Sequence, residues 1–463
     1  MRAFSPAQPP CSRPAALMGG VTYLLSTEKT ISAAWGLQKL VESYSGNCCI
    51  CKRSSDNAEQ TFGFGSDGNV DSAIWTFIGS SIGYLTTIYD QSGNGNDLVN
   101  ATLSGCAVAL SNGVIQGGFM QLGGARGDNT QSIATANYTI PSGVSLNKRD
   151  STIALIGRNQ GTHGGVYLYA GASSPQANVY VASTLIVFDS VDGQRVSSTA
   201  IPASNIDCLA FDFRNGSIKF NTEVSGSSSA LGTGTFTGGK FGQSYAGGFA
   251  SPYFAAVGVV AYSQSLGDTE FAAIRERIRT RYSLATSYAG KPNIVFVGDS
   301  LTAGFGSLCN SYPMQVVSAM SSPNDVRWFN VGQSGLASAQ LPTISTLYKS
   351  DASKNICAVM IGTNDFRTGV SAATCLSNLT SFVTSAKAAG FTVIACTVPP
   401  GGGVDETQRT SFNASVLSGS SGADHVADVG GSCGRPRCIA FCRWCAPYLA
   451  AVLGGGVWFW RVQ

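Results

Sequence analysis

The feature that most narrows the folds open to this chain is a change of rhythm in its apolar runs. Up to residue 285 the runs are short and β-like, and Gly, Ser and Asn separate them: Ile82–Tyr89, Thr152–Ile156, Val166–Tyr169, Leu185–Phe188, Cys208–Phe213, Ser217–Phe220 and Phe254–Tyr262. Many short strands at such spacing predict a sandwich. Two helices frame this region. One is expected over Ile31–Tyr44, where Ala33, Leu37, Leu40, Val41 and Tyr44 recur at three and four. The other carries Asp268 and Glu270 in its first turn and Phe271, Ile274 and Ile278 on its apolar face. Arg275, Arg277, Arg279 and Arg281 crowd its second half, where the helix dipole favours cations.

After Thr286–Pro292, which reads as a linker, the rhythm alternates. Strands are expected at Asn293–Val297, Val326–Val331, Ala358–Ile361 and Thr392–Thr397, with helices around Tyr312–Met320 and over Leu376–Ala389. Strand and helix in alternation predict a parallel sheet covered on both faces. The chain therefore divides into a β-sandwich at 21–285, a linker at 286–292 and an α/β domain at 293–430. Its length of 463 residues agrees with a prior of roughly two to four domains.

Composition removes several function classes. The charged share is 12%, and Lys+Arg exceed Asp+Glu by only 29 − 26 = 3. Nucleic-acid binding by phosphate neutralisation has little to draw on. Gly is abundant at 56 and Pro only 16, which fits tight turns rather than collagen. The apolar share of 44% is enough for full cores. Fourteen cysteines are too few for a disulfide scaffold; Cys48 and Cys49 suit either a disulfide or buried free thiols. There are two histidines, His163 and His425. A zinc site of the imidazole-rich kind would consume nearly all of them.

The two ends differ from the middle. Residues 1–20 hold Pro9, Pro10 and Pro14 and no apolar stretch of the secretory kind, so they read as a disordered extension, with Met18 an alternative start. Beyond Asp428 there is no acidic residue, yet four of the fourteen Cys and three of the six Trp fall there. The tail at 431–463 has three readings. Trp444–Trp460 could anchor in a membrane, but it is short and contains Pro447 and Gly454 to Gly456. Cys433, Cys438, Cys442 and Cys445 could hold a metal, but their spacing lacks paired C-x2-C knuckles. The favoured reading is a change of composition of the kind a shifted reading frame gives.

Three strand ends in the second half carry chemistry. Asn293–Val297 runs into Gly298-Asp299-Ser300, and residues just past a strand's carboxyl end line the ligand crevice of an open parallel sheet. A serine there is placed as a nucleophile, and its own N–H can face the same reacting atom. Phe329-Asn-Val-Gly332-Gln-Ser-Gly335 brings flexible backbone to that crevice, and Val359-Met-Ile-Gly362-Thr-Asn364-Asp365 a side-chain amide. Backbone N–H groups and an amide are the donors that a developing oxyanion needs. Each piece also suits a plain turn, with Ser300 as a helix N-cap and Asn364 as a loop amide.

Taken together, these blocks resemble the SGNH (GDSL) hydrolases over about residues 291–430. Gly298-Asp299-Ser300 matches the first block, Gly335 the second-block glycine and Gly362-Thr363-Asn364-Asp365 the third. The resemblance implies a three-layer, flavodoxin-like α/β fold. It also implies Ser300 as nucleophile and an oxyanion hole from the N–H groups of Ser300 and Gly335 with the Asn364 side chain. Members mostly hydrolyse esters, commonly acyl esters on carbohydrates or lipids. The family's last block, an Asp with a His three residues later, has no counterpart here. His425, in Ala423-Asp-His-Val-Ala-Asp428, reads as a strand-end residue upstream of that block, so the general base is not identified. His163 falls in Gly161-Thr-His-Gly-Gly165, which reads as a hairpin turn.

The first half has its own resemblance. Ala34-Trp35-Gly36-Leu37-Gln38-Lys39-Leu40, then Lys52-Arg53-Ser54-Ser55-Asp56-Asn57, then Tyr89-Asp90-Gln91-Ser92-Gly93-Asn94-Gly95-Asn96-Asp97 resemble the start of the α-L-arabinofuranosidase B catalytic domain. That resemblance, with the strand-then-helix ending at 254–282, implies a lectin-like sandwich of the concanavalin or laminin-G kind over about residues 22–285. A retaining glycosidase needs two carboxylates about 5 Å apart. Asp189, Asp192 and Asp212 lack the family's surrounding residues and read as solvated strand-end or loop carboxylates. Asp90 with Asn94 to Asp97 reads as a tight Asx turn. Arg126-Gly127-Asp128 matches an adhesion tripeptide, a pattern short enough to arise by chance.

The reading that joins both halves is a serine esterase acting on an acylated glycan held by a sugar-binding sandwich, weakly active for want of its base. Its rivals are a glycan-binding or fibre-like structural protein with a decayed hydrolase module, and an arabinofuranosidase. No cofactor or metal is implied, and neither a nucleic-acid partner nor a membrane is expected. An extracellular or virion-associated setting suits the carbohydrate reading, while oligomeric state and compartment stay open.

Overall fold

The computed structural model describes residues 29–112, 115–121, 137–147, 149–159, 163–170, 177–182, 185–190, 193–196, 207–214, 217–220, 223–226, 234–241, 254–282, 287–304, 311–318, 320 and 325–430. The 1–20 extension, the Arg126-Gly127-Asp128 tripeptide, Asp192 and the 431–463 tail lie outside these residues.

In the first half, every strand pairing among the described residues is antiparallel. A 12-stranded sheet has Thr152–Asn159 and Phe254–Tyr262 side by side at its centre, and a 6-stranded sheet includes Tyr138–Asn147 and Thr235–Phe241. The alternation along Thr152–Asn159 shows how the layers form. Ile153 and Leu155 join Trp35, Leu85 and Val259 in a core that also takes Tyr138, Ile140, Leu146 and Phe241 from the smaller sheet. Ala154 and Ile156 point the other way, to Val260 and to Phe271, Ile274 and Ile278 of the helix Asp268–Tyr282. A stretch buried on both faces is apolar at successive positions, which is why Ile153–Ile156 stands out in the sequence. The helix at Asp268–Tyr282 forms with the acidic first turn and basic last turn that the sequence predicts.

The segment expected as a helix over Ile31–Tyr44 is instead a strand, Ile31–Gly36, paired with Phe254–Tyr262 in the register Trp35↔Val259. Its backbone finds tertiary partners in place of an i→i−4 ladder. Gln91, fully buried, accepts from Leu40 N at 2.7 Å and donates to Gly36 O at 3.1 Å and Gln38 O at 2.8 Å. His163, expected in a turn, is the first residue of the strand His163–Ala170 and pairs with Ala182. Asp212, expected to be solvated, is buried; it accepts from Ser265 Oγ at 2.6 Å and Arg214 N at 3.0 Å.

The Asp90 segment folds as an Asx-rich turn. The Asp90 carboxylate accepts from the N–H groups of Ala34, Ser92 and Asn96 and from Ser92 Oγ, at 2.7–3.1 Å. Trp35 Nε1 donates to Asn96 O at 2.7 Å, and Asn94 and Asn96 side chains bond Ser32 O at 3.2 and 3.1 Å. The eight cysteines among the described residues are buried free thiols. Burial raises the Cys48 thiol well above its usual range and Cys51 to about 12.

In the second half, all pairings among the described residues are parallel. The strands are β1 (Asn293–Gly298), β2 (Arg327–Asn330), β3 (Asn355–Met360), β4 (Thr392–Cys396) and β5 (His425–Ala427), in the order β2-β1-β3-β4-β5. The helices are α1 (Ser300–Ala303), α2 (Tyr312–Ser318), α3 (Thr363–Arg367), α4 (Ala372–Ala388) and α5 (Glu406–Leu417). Odd and even residues of β1 again divide. Val295 and Val297 pack with Leu379, Phe382 and Val383 of α4 and Phe412 of α5, while Ile294 and Phe296 pack with Met314, Val316 and Val317 of α2. The expected three-layer α/β arrangement is thus present. The expected linker is partly packed onto it: Gly290 N donates to Asp351 O at 2.7 Å, and Arg327 lies 5.6 Å over the Tyr288 ring.

Candidate active site at the carboxyl edge of the parallel sheet

The chain passes from β1 to β2 on one side and then returns to β3 on the other. Strand order therefore reverses across β1, and in an open parallel sheet the ligand crevice lies at that reversal, outside the carboxyl ends of the strands. The three sequence blocks follow β1, β2 and β3, which are neighbours, so one edge of the sheet brings them together.

Ser300 is the first residue of α1, and the cap is Asp299 rather than the serine: Asp299 Oδ1 accepts from Leu301 N at 2.9 Å. Aspartate is among the best N-caps. Capping by Asp299 leaves the Ser300 hydroxyl without a hydrogen-bond partner among the described residues, half-exposed at the edge. The Ser300 N–H, at the first helical position, has no intrahelical acceptor.

Close packing holds this turn. A Cβ on Gly298 would stand 2.2 Å from both Met360 O and Thr302 Oγ1, and one on Gly332 2.3 Å from Ala303 N. Gln333 N donates to Gly298 O and Asn330 Nδ2 to Thr302 O, both at 2.9 Å, stitching the second block to the first. Gly335 has φ +82°, a conformation that suits glycine, and an added Cβ there would meet nothing within 4 Å. Asn364 is half-buried in α3, and its Nδ2 donates to Leu336 O at 2.9 Å, which ties the third block to the second.

Buried polar groups lie beneath Ser300. Asp299 is fully buried, and burial raises its carboxyl above the usual range. Asp299 Oδ2, Thr302 Oγ1 and Thr363 Oγ1 are buried without a hydrogen-bond partner among the described residues. Asp365 is satisfied instead. Its carboxylate takes Ser338 N at 2.9 Å and Ser338 Oγ at 2.5 Å, and Asn378 Nδ2 reaches Ser338 Oγ at 2.9 Å. Asp365 thus fixes the loop that follows Gly335. The sequence gives it no separate role, since Ser338 lies 27 residues away.

His425 lies elsewhere. It starts β5 and pairs with Ile394, which aligns with Ala358 and then with Phe296 of β1. Three strand spacings of about 4.8 Å separate β5 from β1, so the backbone of His425 lies roughly 14 Å from β1 across the sheet, level with Phe296 and below the edge that carries Ser300. Past β5 the chain is held at the carboxyl edge by Thr397. Its buried hydroxyl donates to Asp428 Oδ1 at 2.8 Å and accepts from Val429 N at 2.7 Å and Gly430 N at 2.6 Å. Among the described residues no group of three His, Cys, Asp or Glu could hold a metal, and no helix is long and apolar enough to cross a membrane.

In the first half, Asp189 lies in the strand Leu185–Ser190 of the 6-stranded sheet and Asp212 in Asp207–Asp212 of the 12-stranded sheet. Asp212 is engaged by the Ser265 hydroxyl.

Among solved structures, an arabinofuranosidase complexed with arabinofuranosyl-α-1,2-xylobiose matches at 16% identity and a TM-score of 0.38, over 54% of this chain and 63% of that one. This chain therefore spans less than two thirds of that enzyme. The SGNH-hydrolase family esterase AlinE4 matches at 22% identity and a TM-score of 0.25, over 29% of this chain and 75% of its own. A member of the lipolytic protein G-D-S-L family from Veillonella parvula matches at 16% identity and a TM-score of 0.26, over 30% of this chain and 79% of its own. No curated protein sequence matches. The chain is similar to two hydrolase families in series: residues 25–141 match Alpha-L-arabinofuranosidase B, catalytic, and residues 296–419 match the GDSL-like Lipase/Acylhydrolase family.

Proposed function

We propose that the α/β half is a serine ester hydrolase acting on an acylated carbohydrate, with Ser300 as nucleophile. The observation that carries this reading is the convergence of the three blocks on one sheet edge, with the Ser300 hydroxyl left uncommitted by the Asp299 cap. Ser300 Oγ attacks the ester carbonyl. The oxyanion takes hydrogen bonds from the N–H groups of Ser300 and Gly335 and from the Asn364 amide. The alcohol leaves, and water releases the acyl group from Ser300.

The step that lacks a residue is proton removal from Ser300. The chain holds no Asp-x-x-His, and His425 stands too far across the sheet to serve. An oxyanion hole alone retains part of the rate of a complete triad and far less than all of it. Hydrolysis by this chain is accordingly slow. The β half, with the boundary at residues 286–292, is a sugar-binding sandwich of the concanavalin or laminin-G kind; its match to an arabinofuranosidase segment supports a glycan ligand. A non-catalytic glycan-binding protein is the second reading, favoured by the missing base.

Hydrolysis of 4-nitrophenyl acetate by the full chain and its Ser300→Ala variant tests the proposal. A slow rate above background that Ser300→Ala removes is expected. A rate that survives the substitution overturns the assignment of Ser300. Release of arabinose from an arabinofuranoside would transfer the activity to the β half.

A further inference from the structure

Arg367 closes α3, three residues after Asn364. Positions three apart on a helix are neighbours, about 5–6 Å from one another at Cβ, and from there Asn364 reaches to Leu336 O and Arg367 to Gly402 O. The guanidinium is anchored on one side only. Nε donates to Gly402 O at 3.1 Å, and a Cβ on Gly401 would stand 3.8 Å from the Nη2 nitrogen. The loop that receives it is itself pinned, since Asp405 N donates to Phe366 O at 3.1 Å. Arg367 is exposed, and its terminal nitrogens have no partner among the described residues. Its charge acts on the buried carboxyl of Asp299, the residue beside Ser300.

No carboxylate of this half forms an ion pair with it. Residues 287–463 contain eight Asp and Glu side chains, all of them described. Four pair with Lys291, Arg327, Lys387 and Arg409. The other four hold Leu301 N, Ser338, the N–H groups that open α5, and Thr397. An arginine fork beside an oxyanion donor, tethered by one nitrogen and open at the others, is a receptor for a planar anion.

We propose that Arg367 binds a carboxylate on the ester substrate, so that the site selects acidic esters, the carboxylate belonging either to the acyl group or to the sugar. This rests on the reading of Ser300 as nucleophile, because only then does the neighbouring edge hold the substrate. A substrate so held presents its carbonyl to Asn364 with one end fixed at Arg367, which makes Arg367 a specificity-determining residue.

The test measures equilibrium binding to the full chain carrying Ser300→Ala, so that nothing turns over. Two matched pairs serve as probes. 4-Nitrophenyl hemisuccinate against 4-nitrophenyl butyrate tests a carboxylate on the acyl group; acetylated methyl glucuronate against acetylated methyl glucoside tests one on the sugar. The acidic member of one pair is expected to bind about tenfold more tightly, as one charge-assisted contact provides. Adding Arg367→Gln brings that ratio to about one, while Arg367→Lys, which keeps the charge and loses the fork, retains part of it. Equal binding within both pairs, or a preference that survives Arg367→Gln, overturns the proposal. A preference with the expected dependence on Arg367, in a chain whose Ser300 proves unreactive, would sustain the anion site and overturn the nucleophile alone.

Discussion

Two turns in this molecule are written in nearly the same alphabet and do opposite things. Tyr89-Asp90-Gln91-Ser92-Gly93-Asn94 and Val297-Gly298-Asp299-Ser300-Leu301-Thr302 each lie at the end of a buried strand, and each carry an Asp with a Gly and a Ser within three residues of it. In the first, the Asp90 carboxylate takes three N–H groups and the Ser92 hydroxyl, so the local donors are consumed inside the turn. In the second, Asp299 Oδ1 caps the helix through Leu301 N and takes nothing from the Ser300 hydroxyl, which is left open. Residue type alone does not separate structure from chemistry. Saturation of the hydrogen bonds does, because a buried polar group left unmatched costs stability and persists where something else requires it.

The sharpest way to break this comparison is Asp90→Ala. It strands two buried N–H groups and one part-buried one at once, and at about 1–3 kcal/mol for each unsatisfied group the chain loses about 4 kcal/mol. Chemical denaturation followed by far-UV circular dichroism measures it; a loss under about 1 kcal/mol would show that the turn is not the clamp described. Gly298→Ala is next. The added methyl meets Met360 O and Thr302 Oγ1 at 2.2 Å, so overpacking costs about 2 kcal/mol in the same assay. A neutral effect would mean that the strand end has room to relax.

Asp299→Asn sharpens the comparison from the side of charge. Burial raises the Asp299 carboxyl above its usual 3.8, so the folded state holds that proton more tightly than the unfolded state does. Its contribution to stability is therefore complete below the unfolded value and is lost as pH rises through the folded value. Asn keeps the cap and removes the titration. The variant should show a flatter stability profile from pH 4 upward than the parent, the smallest of the three effects. Parallel profiles would show that Asp299 is solvated enough to titrate normally.

How much of this was legible depended on where the partners lie. Phe254–Tyr262 is apolar along its whole length and forms over that same span. Ile31–Gly36 deceives because its apolar spacing also fits a helix; what decides it is pairing with Val259 and neighbours more than 200 residues away, and the Gln91 amide, neither visible locally. Helix α5 escapes notice because Phe412 and Val416 are its only buried apolar residues and Asn413 shares their face. Its N-cap, Asp405 bonding Thr407 N and Gln408 N, was the available signal. The site blocks were readable because each lies within a few residues of a strand end. The Asp365–Ser338 tie and the tether of Arg367 to Gly402 were not, because they join separate loops across space.

The central claim is that Ser300 is a reactive nucleophile despite the absence of Asp-x-x-His. Incubating the full chain with a fluorophosphonate and locating the adduct by peptide mass spectrometry addresses it most directly. The account predicts slow, stoichiometric modification at Ser300 and none in the Ser300→Ala variant. An unmodified Ser300, or equal modification of serines elsewhere in the chain, would contradict it.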